Sequence, residues 1–324
     1  MTPSHAASAP AGPAIALREL RRTFGAVVAV DGLSFEVGRG ELFGLVGPDG
    51  AGKTTTLRML AGVLPPTGGD ALVRGISVAR QPEGVKRHIA YMSQRFGLYT
   101  DLTVRENIDF YADLYQVPAA ERPARLERLY QFSNLGQFAR RLAGQLSGGM
   151  KQKLGLCCAL IHQPEILLLD EPTFGVDPIS RRDLWLIVHE MVAQGVTVLV
   201  TTAYMDEAER CDHVALLDHG RIIALDTPAA LQQTLAGRMV AVRVSDPRRA
   251  LEVLAHLPAA HRAALFGDTI HLSLDARDRD WPAVRAGLVA AGHDVLEVHD
   301  LDPSLEDVFI QRVSETATAT PVPA

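Results

Sequence analysis

Gly47-Pro48-Asp49-Gly50-Ala51-Gly52-Lys53-Thr54 decides how this chain is read. It fits G-x-x-x-x-G-K-[ST] and lies between an apolar run, Leu42 to Val46, and a stretch from Thr54 to Leu64 with Leu57, Met59, Leu60 and Val63 at helical spacing. Strand, glycine loop and helix in that order make a phosphate cradle. The glycines let successive backbone N–H groups curl around phosphate oxygens, and the helix N-terminus adds its positive end. Lys53 then reaches the β and γ phosphates, and the Thr54 hydroxyl can ligate Mg²⁺. Outward from the loop, the alternation Leu33-Ser34-Phe35-Glu36-Val37 predicts a half-buried strand, and Pro65-Pro66-Thr67-Gly68-Gly69 a turn that ends the helix. Ile166 to Leu169, Val196 to Thr201 and Val214 to Leu217 predict further strands, separated by helical segments long enough for right-handed crossovers. The economical fold is a parallel α/β sheet. Between its strands, Leu102 to Leu142 has helical periodicity, with Ile108, Tyr111, Leu114 and Tyr115 on one face, and predicts a helical insert over about 95–150.

The strand Ile166-Leu167-Leu168-Leu169 ends in Asp170-Glu171. Carboxylates at the C-terminal tip of such a strand face the ligand crevice of an α/β sheet. Asp170 is placed to hold Mg²⁺, and Glu171 to position or deprotonate an attacking water. Alone, two acids there serve equally well as helix caps; with the glycine loop they indicate a P-loop NTPase. Leu146-Ser147-Gly148-Gly149-Met150-Lys151-Gln152-Lys153 supplies a second anion site, a serine and glycine amides at a helix N-terminus.

This last stretch resembles the signature loop of ATP-binding-cassette (ABC) ATPases, specifically the cytosolic nucleotide-binding subunits of bacterial exporters. Asp49, Met150 and the segment Pro303 to Ile310 resemble the ATPases of ABC-2 type drug and antibiotic exporters. The resemblance runs from about Ala16 to Asp226. It implies a P-loop NTPase cassette with a helical signature subdomain, and ATP and Mg²⁺ as cofactors. ATP would be held at the seam of a head-to-tail dimer. One subunit would contribute Gly47, Pro48, Asp49, Gly50, Ala51, Gly52, Lys53, Thr54 and Thr55, the other Ser147, Gly148 and Gly149.

The same resemblance makes Gln94, in Tyr91-Met92-Ser93-Gln94, a catalytic residue beside Glu171, and Thr54, Gln94 and Asp170 the metal ligands. Phe24 stands where the family stacks an aromatic on adenine, although a core phenylalanine reads the same way. Asp177, in Gly175-Val176-Asp177, matches a loop that crosses the dimer seam; it equally fits an N-cap for a helix beginning near Pro178. The partners implied are a second nucleotide-binding subunit, identical or different, and a separately encoded transmembrane permease contacted by the helical insert. The implied location is cytoplasmic, peripheral on the inner face of the cell membrane.

One position departs from the family. Its histidine after the strand Val196 to Thr201 is replaced by Ala203 in Thr201-Thr202-Ala203-Tyr204, and His213 lies too far on to substitute. An alanine offers no side-chain donor, so turnover is expected to be low or dependent on a histidine-bearing partner.

Composition agrees. The 324 residues are 47% hydrophobic and 22% charged, ordinary globular values with room for two domains. A net charge of −6 argues against a nucleic-acid partner. No stretch approaches the roughly 18 apolar residues of a membrane span. Cys157, Cys158 and Cys211 have no metal-ligand spacing, and point to a reducing compartment. The expected organisation is a disordered tail over 1–14, the cassette over 15–236, a small α+β domain over 237–312 and a disordered tail over 313–324. In the α+β domain, strand, helix, strand, strand, helix, strand from Val240 to His299 follow the order of a ferredoxin-like split βαβ. That domain either lengthens or regulates the dimer interface, or is a passive stabiliser. A rival function is a soluble ABC ATPase acting as a clamp on a cytosolic machine such as the ribosome. Such proteins usually carry two cassettes, whereas this sequence has one glycine loop and one signature.

Overall fold

A computed structural model of the chain describes residues 12–94, 97–235, 238–260 and 262–319. The expected N-terminal tail therefore lies mostly outside the described residues. The chain forms two compact units. One holds the residues up to Tyr204 with Leu217–Ile222, the other Met205–Leu216 with the residues from Ile223 on.

In the first unit, β1 (Ile15–Phe24) pairs antiparallel with β2 (Val27–Val37). Leu33, Phe35 and Val37 of β2 are buried and Ser34 and Glu36 exposed, as their alternation predicts. The wholly buried β3 (Leu42–Val46) runs into the glycine loop, and α1 (Lys53–Leu60) follows. This helix stops short of the predicted end. Ala61 caps it, Gly62 turns the chain in the left-handed region at φ 65°, and Val63, expected on the apolar face, is exposed. Gly68 and Gly69 are a second correction: they open β4 (Gly68–Val73) instead of closing a turn. β4 pairs antiparallel with β1, and the register shifts between Arg18 and Arg21. A two-residue β5 (Ile76–Ser77) and a short α2 (Pro82–Lys86) lead to β6 (Ile89–Met92).

The helical insert contains α3 (Val104–Leu114), α4 (Arg122–Ser133) and α5 (Gly148–Leu160). Thr103 and Glu106 form a capping box that starts α3, satisfying orphan N–H groups reciprocally. The apolar face predicted for α3 is only partly buried. Ile108 is inaccessible and Tyr111 half-buried, while Leu114 and, just past the helix, Tyr115 are exposed; Phe110, which lies off the predicted face, is exposed as well.

The chain then returns to the sheet with β7 (Ile166–Asp170), α6 (Pro178–Ala193) and β8 (Thr197–Thr202). The parallel strands run in the order β3, β8, β7, β6. Their register brings four C-terminal ends level: Val46 pairs with Thr202, Thr201 with Asp170, and Leu169 with Met92. This alignment gathers side chains that are far apart in the chain.

Next come α7 (Met205–Ala208), β9 (His213–Asp218), β10 (Arg221–Asp226) and α8 (Pro228–Gln233), with the boundary between the units passing through β9 and β10. Met205–Leu216 thus groups with the later residues, whereas the sequence suggests an unbroken 15–236. Glu209 joins that segment to residues far along the chain. Glu209 Oε1 accepts hydrogen bonds from Gln232 Nε2 (2.8 Å) and the Leu305 N–H (3.3 Å).

The rest of the second unit is β11 (Met239–Val244), α9 (Pro247–Leu254), β12 (Arg262–Phe266), β13 (Thr269–Ser273), α10 (Arg277–Ala290), β14 (Val295–Asp300) and α11 (Leu305–Ala319). Its antiparallel sheet has the order β12, β13, β11, β14. β13 lies between the two strands joined through α9, which is the split βαβ arrangement. Val240, Val242, Ile270 and Leu272 of the sheet pack on Leu254 of α9 and Val284 and Leu288 of α10. α10 begins four residues before the expected start at Trp281, because the Asp280 carboxylate accepts the Ala276 N–H at 2.8 Å and caps the extra turn. α11 runs to Ala319, so part of the tail expected to be disordered from 313 is helical.

Candidate nucleotide site

The first unit places the glycine loop at the level C-terminal ends of β3, β6, β7 and β8. Gly52, the N-cap of α1, has φ 99°, and a Cβ there would lie 2.5 Å from the Ala29 carbonyl oxygen. Only glycine satisfies both conditions. Lys53 follows and is 4% exposed. Its ammonium donates to the carbonyls of Gly47 (2.8 Å) and Pro48 (3.0 Å) and pairs with Glu171 Oε1 at 3.1 Å. Three donors thereby meet three oxygens. On the far side of Glu171, Oε2 accepts from Gln94 Nε2 at 3.0 Å. Lys53, Glu171 and Gln94, from three separate elements, form one continuous chain of contacts.

Asp170 is the hub of a second set of contacts. Its Oδ1 accepts from the hydroxyls of Thr54 (2.9 Å) and Thr201 (2.9 Å), and its Oδ2 from the Tyr91 hydroxyl (3.2 Å). Burial, and then the Asp170 charge, push the Tyr91 phenol up to about 12, so it stays protonated and remains a donor. The hydroxyl of Thr54 and the carboxylate of Asp170, in contact with each other, and the amide oxygen of Gln94, which holds Glu171 through its nitrogen, are hard oxygen donors of the kind Mg²⁺ prefers. Thr54, Asp170 and Gln94 therefore fit that ion.

Glu171 itself has φ 47°, a left-handed conformation uncommon outside glycine. Its N–H donates to Thr201 Oγ1 (3.0 Å) and to the Thr201 carbonyl (3.2 Å), which holds it there. Backbone strain of this kind costs on the order of 1–3 kcal/mol and clusters at functional positions. Beside Glu171 lies a cavity of about 250 Å³, lined also by Asp49, Thr173, Phe174, Thr202, Ala203 and Tyr204. Ala203 is exposed, and the Arg181 guanidinium lies 4.5 Å from the Tyr204 ring centroid.

Ser147, Gly148, Gly149 and Asp177 form a second group, at the N-termini of α5 and α6. Ser147 caps α5 by accepting the Met150 N–H at 3.3 Å, and Asp177 caps α6 by accepting the Ser180 N–H at 3.0 Å. That backbone hydrogen bond holds the Asp177 carboxyl below the usual carboxylate range. Gly149 permits the close approach of the two helices, since a Cβ there would lie 2.2 Å from Ser180 Oγ. Phe24 stands at the end of β1, 46% exposed, with the Arg22 guanidinium 4.6 Å from its ring centroid; it is not a core residue.

Residues 30–174 match the ABC transporter family. The chain is 43% identical over 293 residues to the probable multidrug ABC transporter ATP-binding protein YbhF of Escherichia coli, covering 90% of this chain. It spans about half the length of that relative (50%). It is also 36% identical over 308 residues to the Nod factor export ATP-binding protein I of Ralstonia nicotianae, covering 92% of this chain and 93% of the relative. This chain belongs to the ABC transporter family. The fold agrees: a solved ATP-binding subunit of an ABC transporter superposes with a TM-score of 0.62 at 31% identity, over 68% of this chain and 92% of the other.

Within this family member, two side chains at the site have no role in the sequence reading, Thr201 and Tyr91. Both lie in quoted motifs, but only the parallel register, which pairs Thr201 with Asp170, brings them to the carboxylates. One Thr201 hydroxyl donates to Asp170 and accepts from Glu171, and so orients both acids. Thr201→Val keeps the shape and removes that hydroxyl, leaving a buried carboxylate short of a donor, a loss of about 1–3 kcal/mol. The expected result is a fall in ATPase kcat of roughly tenfold with nucleotide affinity kept, read by steady-state hydrolysis beside nucleotide titration. Unchanged kcat would remove Thr201 from the site.

Proposed function

We propose that this chain is the nucleotide-binding subunit of an ABC-type exporter, hydrolysing ATP at an interface between two such subunits to drive a separately encoded membrane permease. The observation that carries this reading is the chain of contacts from Lys53 through Glu171 to Gln94, beside the Thr54–Asp170 pair. The multidrug ABC transporter relative supports transport, and the Nod factor export relative supports export as its direction.

The residues divide the work as follows. The amides of the loop Gly47 to Thr55 and the α1 N-terminus receive the phosphates, and Phe24 offers an exposed ring for the base. Lys53 turns its ammonium from the Gly47 and Pro48 carbonyls to phosphate oxygens. That competition loosens its hold on Glu171, whose carboxylate is then free to take a proton from water. Gln94 keeps Glu171 oriented through Nε2 and leaves its amide oxygen for the metal. Bound Mg²⁺, held by Thr54, Asp170 and Gln94, supplies charge neutralisation at the phosphates. Ser147, Gly148 and Gly149 of one subunit would close on the nucleotide of the other, with Asp177 at the seam. The exposed Phe110 and Leu114 of α3, with Tyr115 just past its end, offer the permease an apolar contact on the insert that follows Gln94.

A test separates this reading from a ribosome-associated clamp. Expressed with its genomic neighbours, the chain is expected to sediment with membranes through a polytopic membrane protein among them, and to be released when that protein is omitted. Sedimentation with ribosomes, indifferent to the membrane protein, would overturn it.

A further inference from the structure

A larger cavity, about 520 Å³, opens in the first unit at the opposite end of the same strands, where β7 and β8 begin at Ile166 and Thr197. Its volume falls among those of small-molecule pockets, about 300–1,000 Å³. Leu129, Phe132, Leu160, Ile166 and Met191 give it an apolar floor. Four arginines, Arg39, Arg74, Arg125 and Arg128, line it against a single acid, Glu165, in a chain whose net charge is −6.

Glu165 is already engaged by Arg74 and by His88. Arg125 pairs with Glu121 and donates to the Ile161 carbonyl at 3.0 Å, just past the end of α5. Arg39 and Arg128 differ. Both are exposed at the rim, and neither has a carboxylate partner among the described residues. Arg39 Nε donates to the Gly12 carbonyl (3.3 Å) and Arg128 Nη2 to Gln194 Oε1 (2.8 Å), both neutral acceptors. The C-terminal residue of α5 and the residues just after α6 also line the cavity, so helix ends of negative dipole sit at its wall. That disfavours a polyanion such as phosphate, and two uncompensated guanidinium groups above an apolar floor favour one negative charge on an apolar body.

We propose that this cavity is a second ligand site, taking a free amphiphilic monoanion, with its head between Arg39 and Arg128 and its alkyl body on the floor. The test is calorimetric titration of the full chain with decanoate, with decanol, decyltrimethylammonium and inorganic phosphate as comparators. A single saturable decanoate site is expected, undisturbed by saturating ATP. Decanol is expected to bind at least tenfold more weakly, and the ammonium and phosphate not at all. The double variant Arg39→Glu/Arg128→Glu, which changes only exposed side chains, is expected to weaken decanoate at least tenfold. No saturable binding, equal binding of decanol and decanoate, or displacement by ATP would each overturn the proposal, as would a folded double variant with wild-type affinity. If the double variant fails to fold, the wild-type comparison of decanoate with decanol decides.

Discussion

Glu171→Gln is expected to lower ATP turnover by roughly 10²–10⁴-fold, the range for loss of a positioned general base, while leaving nucleotide binding intact. The substitution is isosteric. Lys53 keeps its bonds to the Gly47 and Pro48 carbonyls and can still meet the amide oxygen, so no buried ammonium is stranded. What disappears is the group able to take a proton. Single-turnover hydrolysis, set beside titration with a fluorescent ATP analogue, checks both halves, and a rate within threefold of wild type would remove Glu171 from the chemistry. The variant also gives access to the dimer, because ATP that is bound but not cleaved should hold two subunits together. Light scattering is expected to show the mass doubling on addition of ATP, and Ser147→Arg in the same chain to abolish the doubling by blocking the α5 N-terminus.

Ala203→His is the second large effect, and it runs the other way. Ala203 lines the cavity of about 250 Å³ that also contains Glu171 and Asp49, so the space has room for an imidazole and a reacting group within its reach. A positioned donor at a developing negative charge contributes on the order of 10²-fold. Steady-state ATPase activity of the purified chain is therefore expected to rise by up to about that factor, with nucleotide affinity changed little. Equal and brisk rates for both forms would show that position 203 does not limit turnover. If wild type reaches a brisk rate only when mixed with a histidine-bearing partner subunit, the dimer is asymmetric and the alanine marks its slower site.

The phosphate loop was legible because its chemistry is contiguous. Eight consecutive residues carry the glycines, the lysine and the threonine, and the flanking strand and helix announce themselves by local periodicity. Asp170 and Glu171 were legible for the same reason, as acids at the end of an apolar run. Gln94 and Ser147 gained meaning only through resemblance, since a lone glutamine or a serine cap has many uses. The short α1 escapes the sequence because Val63 keeps the helical spacing while Gly62 ends the helix. The ordered length of α11 escapes it too, because a Thr/Ala/Pro composition says little about a helix already started at Leu305.

Resemblance to the family identified Ala203 as standing in place of a histidine; the sequence by itself determined the strand, loop and helix that cradle phosphate and the acids at the tip of the apolar strand. Each depends on neighbours in the chain. Only the tertiary structure decided that Thr201 aligns with Asp170, that Tyr91 donates to the same carboxylate, and that Met205–Leu216 belongs with the second unit. It alone gathered Arg39, Arg74, Arg125 and Arg128 around one apolar cavity. The reason is physical. Strand order and register are set by which apolar faces bury one another across long separations, and no local spacing encodes that choice.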